Sequence, residues 1–203
     1  MLKAESLAAE RGGMALFANV AFSLDGGQVL LVTGANGCGK TTLLRMVAGL
    51  TQPYSGRLSW RGEPVAAFDP VVRAATLYIG HTTALKDELT AEENLLSLAA
   101  LHGSQASRET VHNALDEWSL DRRGDLPARV LSQGQRRRVS LARLSLAHRR
   151  LWVLDEPATA LDASGIATLE MRINAHLAGQ GIAVIATHQP LAVQPGATRR
   201  LEL

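Results

Sequence analysis

Cysteine occurs once in the 203 residues, at Cys38, so neither an intrachain disulfide framework nor a cysteine-built zinc site is available, and a reducing compartment is expected. Lysine is nearly as scarce. Lys3, Lys40 and Lys86 are the whole set, arginine carries almost all the positive charge, and the position of each lysine becomes informative. No apolar run approaches the roughly 18 residues needed to cross a bilayer, and strips such as residues 95–101 are core-sized. The first residues lack the apolar stretch of a secretory signal, and Glu5 and Glu10 argue against a transit peptide, so a cytosolic chain is expected. A large charge excess is also missing: 21 basic against 19 acidic residues give +2, too little to point to nucleic acid. Arg136, Arg137 and Arg138 form the one tight basic cluster, which reads either as a solvated helix face or as a phosphate-binding patch.

What is present is a globular composition, 46% hydrophobic with mean hydropathy +0.03, long enough for one domain and a substantial core. Two alternating stretches, 2–9 and 16–24, predict antiparallel strands ended by the Asp25-Gly26-Gly27 turn. The β-rich run 29–33 enters a glycine-rich loop and then a helix over 40–50. Residues 56–60 and 76–80 predict further strands. From 81 to 148 the pattern turns helical. Thr90 and Glu93 have capping-box spacing, Val111, Ala114, Leu115 and Trp118 share one helical face, and another helix covers 132–147. Apolar strands at 151–154 and 182–186 flank a helix near 164–178, and a short strand closes the chain. Buried strands alternating with helices predict an α/β fold with a parallel sheet, as one domain: 1–80 and 148–203 form the core with N-terminal antiparallel strands, and 81–147 is an inserted helical subdomain.

Gly34-Ala35-Asn36-Gly37-Cys38-Gly39-Lys40-Thr41 matches G-x-x-x-x-G-K-[ST]. Glycines let successive N–H groups curl around phosphate oxygens, and the helix that follows adds its positive end. Lys40 supplies a point charge for the β- and γ-phosphates, and the Thr41 hydroxyl suits Mg²⁺. A chance match at this composition arises in roughly 3 chains of 1000. Cys38 reads as a small spacer, although the phosphate-loop electrostatics could lower its pKa.

The strand 151–154 ends in Asp155-Glu156. A buried parallel strand delivers such acids to the carboxyl edge of the sheet, where ligands of these folds bind. There Asp155 would hold Mg²⁺ and Glu156 would orient and deprotonate the attacking water; alone, the pair would read as a cap or turn. The strand 182–186 ends in Thr187-His188 at the same edge, where the ring could contact the γ-phosphate. Leu131-Ser132-Gln133-Gly134-Gln135 opens a helix, and Ser132 with Gln135 makes either a plain capping box or a capped helix start presenting N–H groups to an anion.

Phosphate loop, Leu-Ser-x-Gly-Gln, strand-Asp-Glu-Pro, Thr159-Ala160-Leu161-Asp162 and Thr187-His188 occur in the order seen in ATP-binding-cassette ATPases, which the chain resembles over nearly its whole length. The resemblance implies a P-loop NTPase fold, ATP with Mg²⁺ held by the loop (Gly34 to Thr41, with Thr42 beside it), Thr41 and Asp155, and catalysis by Lys40, Glu156 and His188. It also implies a head-to-tail pair of copies, in which Ser132, Gly134 and Gln135 close the ATP of the other copy and Asp162 communicates between sites.

Tyr78-Ile79-Gly80-His81, the run 84–95 and Thr187-His188-Gln189-Pro190-Leu191 resemble a narrower group, the ATP-binding subunits of bacterial heme exporters in cytochrome c maturation. That implies a peripheral ATPase on the cytoplasmic face of the inner membrane, docked to integral permease subunits, with no nucleic-acid partner. His81 stands where the wider family carries glutamine and reads as a specialised transmission residue. Gln133 replaces the usual glycine. Adenine normally stacks on an aromatic near the position of Arg11, whose guanidinium either stacks instead or is solvated. Cassettes for other substrates, soluble cassettes of DNA repair or ribosomes, and a nucleotide-gated module without turnover are the competing readings.

Overall fold

A computed structural model describes residues 1–101, 103, 105–146, 148–194 and 197–203, and the chain divides into two compact units. The first comprises Met1–Tyr78, Arg149–Glu156 and Ile173–Leu203. Its opening strands β1 (Leu2–Arg11) and β2 (Met14–Leu24) form an antiparallel hairpin. With β4 (Ser55–Trp60) and β5 (Glu63–Pro64) they make a four-stranded sheet in the order β2-β1-β4-β5. The second sheet has the order β6-β7-β8-β3-β9, built from β3 (Val29–Thr33), β6 (Thr76–Ile79), β7 (Leu151–Asp155), β8 (Ile182–Ala186) and β9 (Thr198–Glu202). Strand β3 pairs in parallel with both β8 and β9, and β7 with β8; β3, β7 and β8 are the apolar buried runs expected of parallel strands, whereas β9 at the sheet edge is polar and partly exposed. Leu30, Val32, Val153 and Val184 pack with Leu43, Leu44 and Val47 of α1 (Lys40–Val47), and with Leu2, Leu7, Leu24 and Leu58 of the antiparallel sheet.

Helix α1 stops at Val47, short of the expected Leu50, because the chain turns at Gly49 with φ 68°. A helix absent from the periodicity reading, α2 (Pro70–Ala75), is started by local chemistry: Asp69 Oδ1 accepts the N–H groups of Val71 and Val72, and Pro70 occupies the first turn.

Behind β7 and β8, the rings of Trp152 and His176 stack at 3.9 Å between centroids with planes 5° apart, and His176 Nε2 lies 3.1 Å from the Ile182 carbonyl. A Cβ on Gly181 would come within 2.2 Å of the imidazole, so only glycine fits against the stack. Burial, with Arg150 adding to it, holds the His176 pKa down at about 4, against the Ile182 hydrogen bond that favours the proton. Because the unfolded chain binds this proton from about pH 6.5 downward and the folded chain resists until about 4, stability falls as pH drops through that window. At pH 5 the loss from this group is about 2 kcal/mol relative to pH 7. Urea unfolding at both pH values checks it, and His176→Phe should remove most of the difference.

The second unit, Ile79–His148 with Pro157–Arg172, is helical. Its elements are α3 (Ala91–Leu101), α4 (Arg108–Glu117), α5 (Gln133–Leu146) and the first part of α6 (Ala163–Ala178). The expected end of α5, Ala147, lies outside the described residues. Thr90 and Glu93 form their capping box, Glu93 N donating to Thr90 Oγ1 at 3.1 Å and Thr90 N to Glu93 Oε2 at 2.8 Å. Val111, Ala114, Leu115 and Trp118 are all buried, as their spacing predicts. Among the described residues no helix is long and apolar enough to cross a membrane.

Candidate functional site

Strand β3 feeds the glycine loop directly into α1, and two of the glycines are obligatory. Gly34 sits at φ 139°, where a Cβ would lie 2.5 Å from the Leu203 carbonyl; at Gly39, φ 107°, it would lie 2.8 Å from the Phe17 ring. Gly39 is also the N-cap of α1 and offers no side-chain cap, so the first-turn N–H groups remain for an anion. Ala35, Asn36 and Gly37 are exposed, nothing would meet a Cβ on Gly37 within 4 Å, and Cys38 is half-buried. The Lys40 ammonium folds back over this concavity, donating to Gly34 O at 2.8 Å and Ala35 O at 3.0 Å. A glycine loop leading into a helix start without a side-chain cap, with a cation tethered beside it, fits a polyphosphate.

From α1, the Thr41 hydroxyl donates to Asp155 Oδ2 at 2.7 Å, and Thr42 follows it on the same turn. Asp155 is 2% exposed at the end of β7, and its charge, after burial, raises the pKa of the neighbouring Tyr78 phenol. Two hard oxygen donors in contact suit a divalent cation that keeps its remaining ligands as water and phosphate oxygens. Among the described residues there is no group of three or more His, Cys, Asp or Glu side chains able to hold a metal.

The next residue, Glu156, takes φ 48°, a left-handed kink beyond β7 whose N–H bonds to Ala186 O. Its Oε2 accepts the His188 backbone N–H at 3.3 Å, and its Oε1 lies 3.3 Å from His188 Nε2. The contact between these side chains follows from the register Asp155↔Ala186, which ends β7 and β8 at one edge. Residue type and spacing carry no signal for this pairing, because residues 156 and 188 lie 32 positions apart in sequence. Arg11 lies exposed at the tip of the β1–β2 hairpin.

The remaining expected residues belong to the second unit. Ser132 and Gln135 close a capping box at the start of α5: Gln135 N donates to Ser132 Oγ at 3.2 Å and Ser132 N to Gln135 Oε1 at 2.9 Å. A Cβ on Gly134 would fall 2.9 Å from Ala160 O. Asp162 caps α6, and the Gly165 N–H, then Ser164 and Arg138, hold its carboxyl below the usual range. His81 is exposed.

Neither expectation for the arginine cluster holds. Arg136 donates to Ala128 O and pairs with Asp87 at 2.6 Å. Arg137 is 3% exposed and bonds backbone carbonyls, and Arg138 reaches Trp118 O, Ser164 and Asp162. These cations are engaged within the protein and leave no basic patch.

Residues 17–159 match the ABC transporter family. The chain belongs to that family. It is therefore an ABC-type ATPase, with the family's α/β P-loop fold and its ATP binding. The ABC chain is 47% identical over 202 residues to the cytochrome c biogenesis ATP-binding export protein CcmA of Pseudomonas putida, covering all of itself and 96% of that protein. It is 44% identical over 203 residues to the protein of the same name from Dechloromonas aromatica, covering both completely. Among solved structures, an ABC transporter ATP-binding protein from Pyrococcus furiosus superposes with a TM-score of 0.84 at 25% identity, over 98% of this chain and 96% of that one. A bacterial ABC transporter cassette whose structure is dimeric shares the fold, with a TM-score of 0.79 at 21% identity over 100% and 94% of the two chains.

Proposed function

We propose that this chain is the ATP-hydrolysing subunit of an export complex for c-type cytochrome biogenesis, energising heme delivery and the release of a heme-loaded chaperone. It would work as a pair of copies on the cytoplasmic face of the bacterial inner membrane, bound to integral permease subunits. The observation that carries this is identity of 44–47% along the entire chain with export proteins named for cytochrome c biogenesis.

In this reading the Gly34–Gly39 N–H groups and Lys40 bind the β- and γ-phosphates, Lys40 exchanging its loop carbonyls for phosphate oxygens. Thr41 and Asp155 would hold Mg²⁺, which would supply positive charge to neutralise the phosphates. Glu156 accepts the proton of the attacking water. The His188 N–H holds one carboxylate oxygen, and the imidazole faces the other until it turns to the γ-phosphate. Ser132, Gly134 and Gln135 close the ATP of the opposite copy, His81 transmits the change in its segment, and Asp162 links the two sites.

Arg11 stacks on adenine in this account. Arg11→Ala should weaken ATP binding by ~2- to 30-fold, the equivalent of about 0.5–2 kcal/mol, in a fluorescent-nucleotide titration. Unchanged affinity would remove the stacking role.

The functional assignment is tested in a bacterium deleted for its own cytochrome c biogenesis ATPase. Expression of this chain should restore heme-stained c-type cytochromes, and the Lys40→Met variant should not. Restoration by neither would oppose the assignment.

A further inference from the structure

Arg137 is a charged side chain, 3% exposed, in a unit whose stability would be served as well by an apolar residue of its size. Its hydrogen bonds say what it does instead. Nε donates to Pro157 O at 3.2 Å and Nη1 to Gly80 O at 3.0 Å. Pro157 is the peptide neighbour of Glu156, and Gly80 is the neighbour of His81. One planar guanidinium thus spans two backbone segments 77 positions apart in sequence (157 − 80), from a position five residues beyond Ser132 on the same helix. Next to it, Arg138 joins Trp118 O and Ser164 at 2.9 and 2.8 Å. A cavity of about 350 Å³ lined by His81, Gln133, Arg137 and Ala160 leaves room for the segment at 81 to shift.

We propose that Arg137 is a positioning residue that makes the start of α5 and the two segments ending at His81 and Glu156 move as one. The proposal rests on the functional reading above, in which Ser132–Gln135 meet ATP and Glu156 acts on water. Because a buried guanidinium loses much if either carbonyl partner departs, displacement of α5 drags both segments or breaks both bonds. In this account Arg137 acts through the two segments it holds rather than on the nucleotide. Its effect falls on the placement of Glu156 and His81, where shifts on the order of 1 Å are worth up to ~10²-fold in rate.

The test uses the full chain, isolated together with any membrane protein bound to it, as wild type, Arg137→Lys and Arg137→Met. Lysine keeps the charge but as a point donor cannot span both carbonyls. Both variants should lose ~10-fold or more in kcat with the KM for ATP within ~3-fold of wild type. A merely structural role would lower kcat only in proportion to the folded fraction, read from thermal melting. In a double-mutant cycle, Ser132→Ala should cost clearly less in the Arg137→Met background than in wild type. Wild-type kcat in Arg137→Lys, an additive cycle, or a KM rise with unchanged kcat would overturn the proposal. If Arg137→Met does not fold, the cycle is run in Arg137→Lys, whose kcat and coupling decide. Wild-type protein without ATP turnover would instead refute the functional reading itself.

Discussion

Glu156→Gln should abolish nearly all ATP turnover, by ~10²-fold or more, while leaving ATP binding at wild-type strength. The substitution is isosteric, and the Gln side-chain oxygen can still accept the His188 N–H that Glu156 Oε2 accepts at 3.3 Å, so the kink after β7 is retained. What disappears is the negative charge that takes a proton from water. Lys40, Thr41 and Asp155, which hold the phosphates and the cation in this account, are untouched. The variant should accumulate as an ATP-bound pair of copies, visible as a doubled mass in size-exclusion chromatography with MgATP and absent with MgADP. Phosphate release near the wild-type rate would place the base elsewhere.

Lys40→Met should fail one step earlier, at binding. The aliphatic stem is kept in an environment where the residue is 8% exposed, so the fold should melt within a few degrees of wild type. The ammonium, which already bridges Gly34 O and Ala35 O, is lost together with the charge-assisted bonds it would make to phosphate. Such bonds are worth about 1.5–3 kcal/mol each, and two of them correspond to ~10²-fold or more in ATP affinity. A fluorescent-nucleotide titration separates this from Glu156→Gln, whose affinity stays high. Near-equal ATP affinity in the two variants would contradict the division of roles between binding and chemistry.

Much of this architecture was legible because it is written in contiguous residues. Strands β3, β7 and β8 are unbroken apolar runs, which buried parallel strands require, and the glycine loop sits between a strand and a helix as its chemistry demands. The capping boxes at Thr90 and Ser132 were readable from a spacing of three and form as such. The parts that escaped depend on partners far along the chain. Arg137 bonds carbonyls 57 and 20 positions away, and backbone acceptors carry no residue-type signal, so a run of three arginines looked like a surface. Glu156 and His188 were each found, but their contact is set by the register of β7 on β8. Helix α2 is too short to show a period, although Asp69-Pro70 was a readable start.

The central claim, that this ABC ATPase drives a membrane export complex, is tested most directly by affinity isolation of the tagged chain from detergent-solubilised membranes of a cytochrome c-producing bacterium. The account predicts recovery of two copies of the chain with a multi-span membrane protein, in a complex whose ATP turnover is lost with Glu156→Gln. Recovery on ribosomes or DNA, with no membrane protein bound, would contradict it.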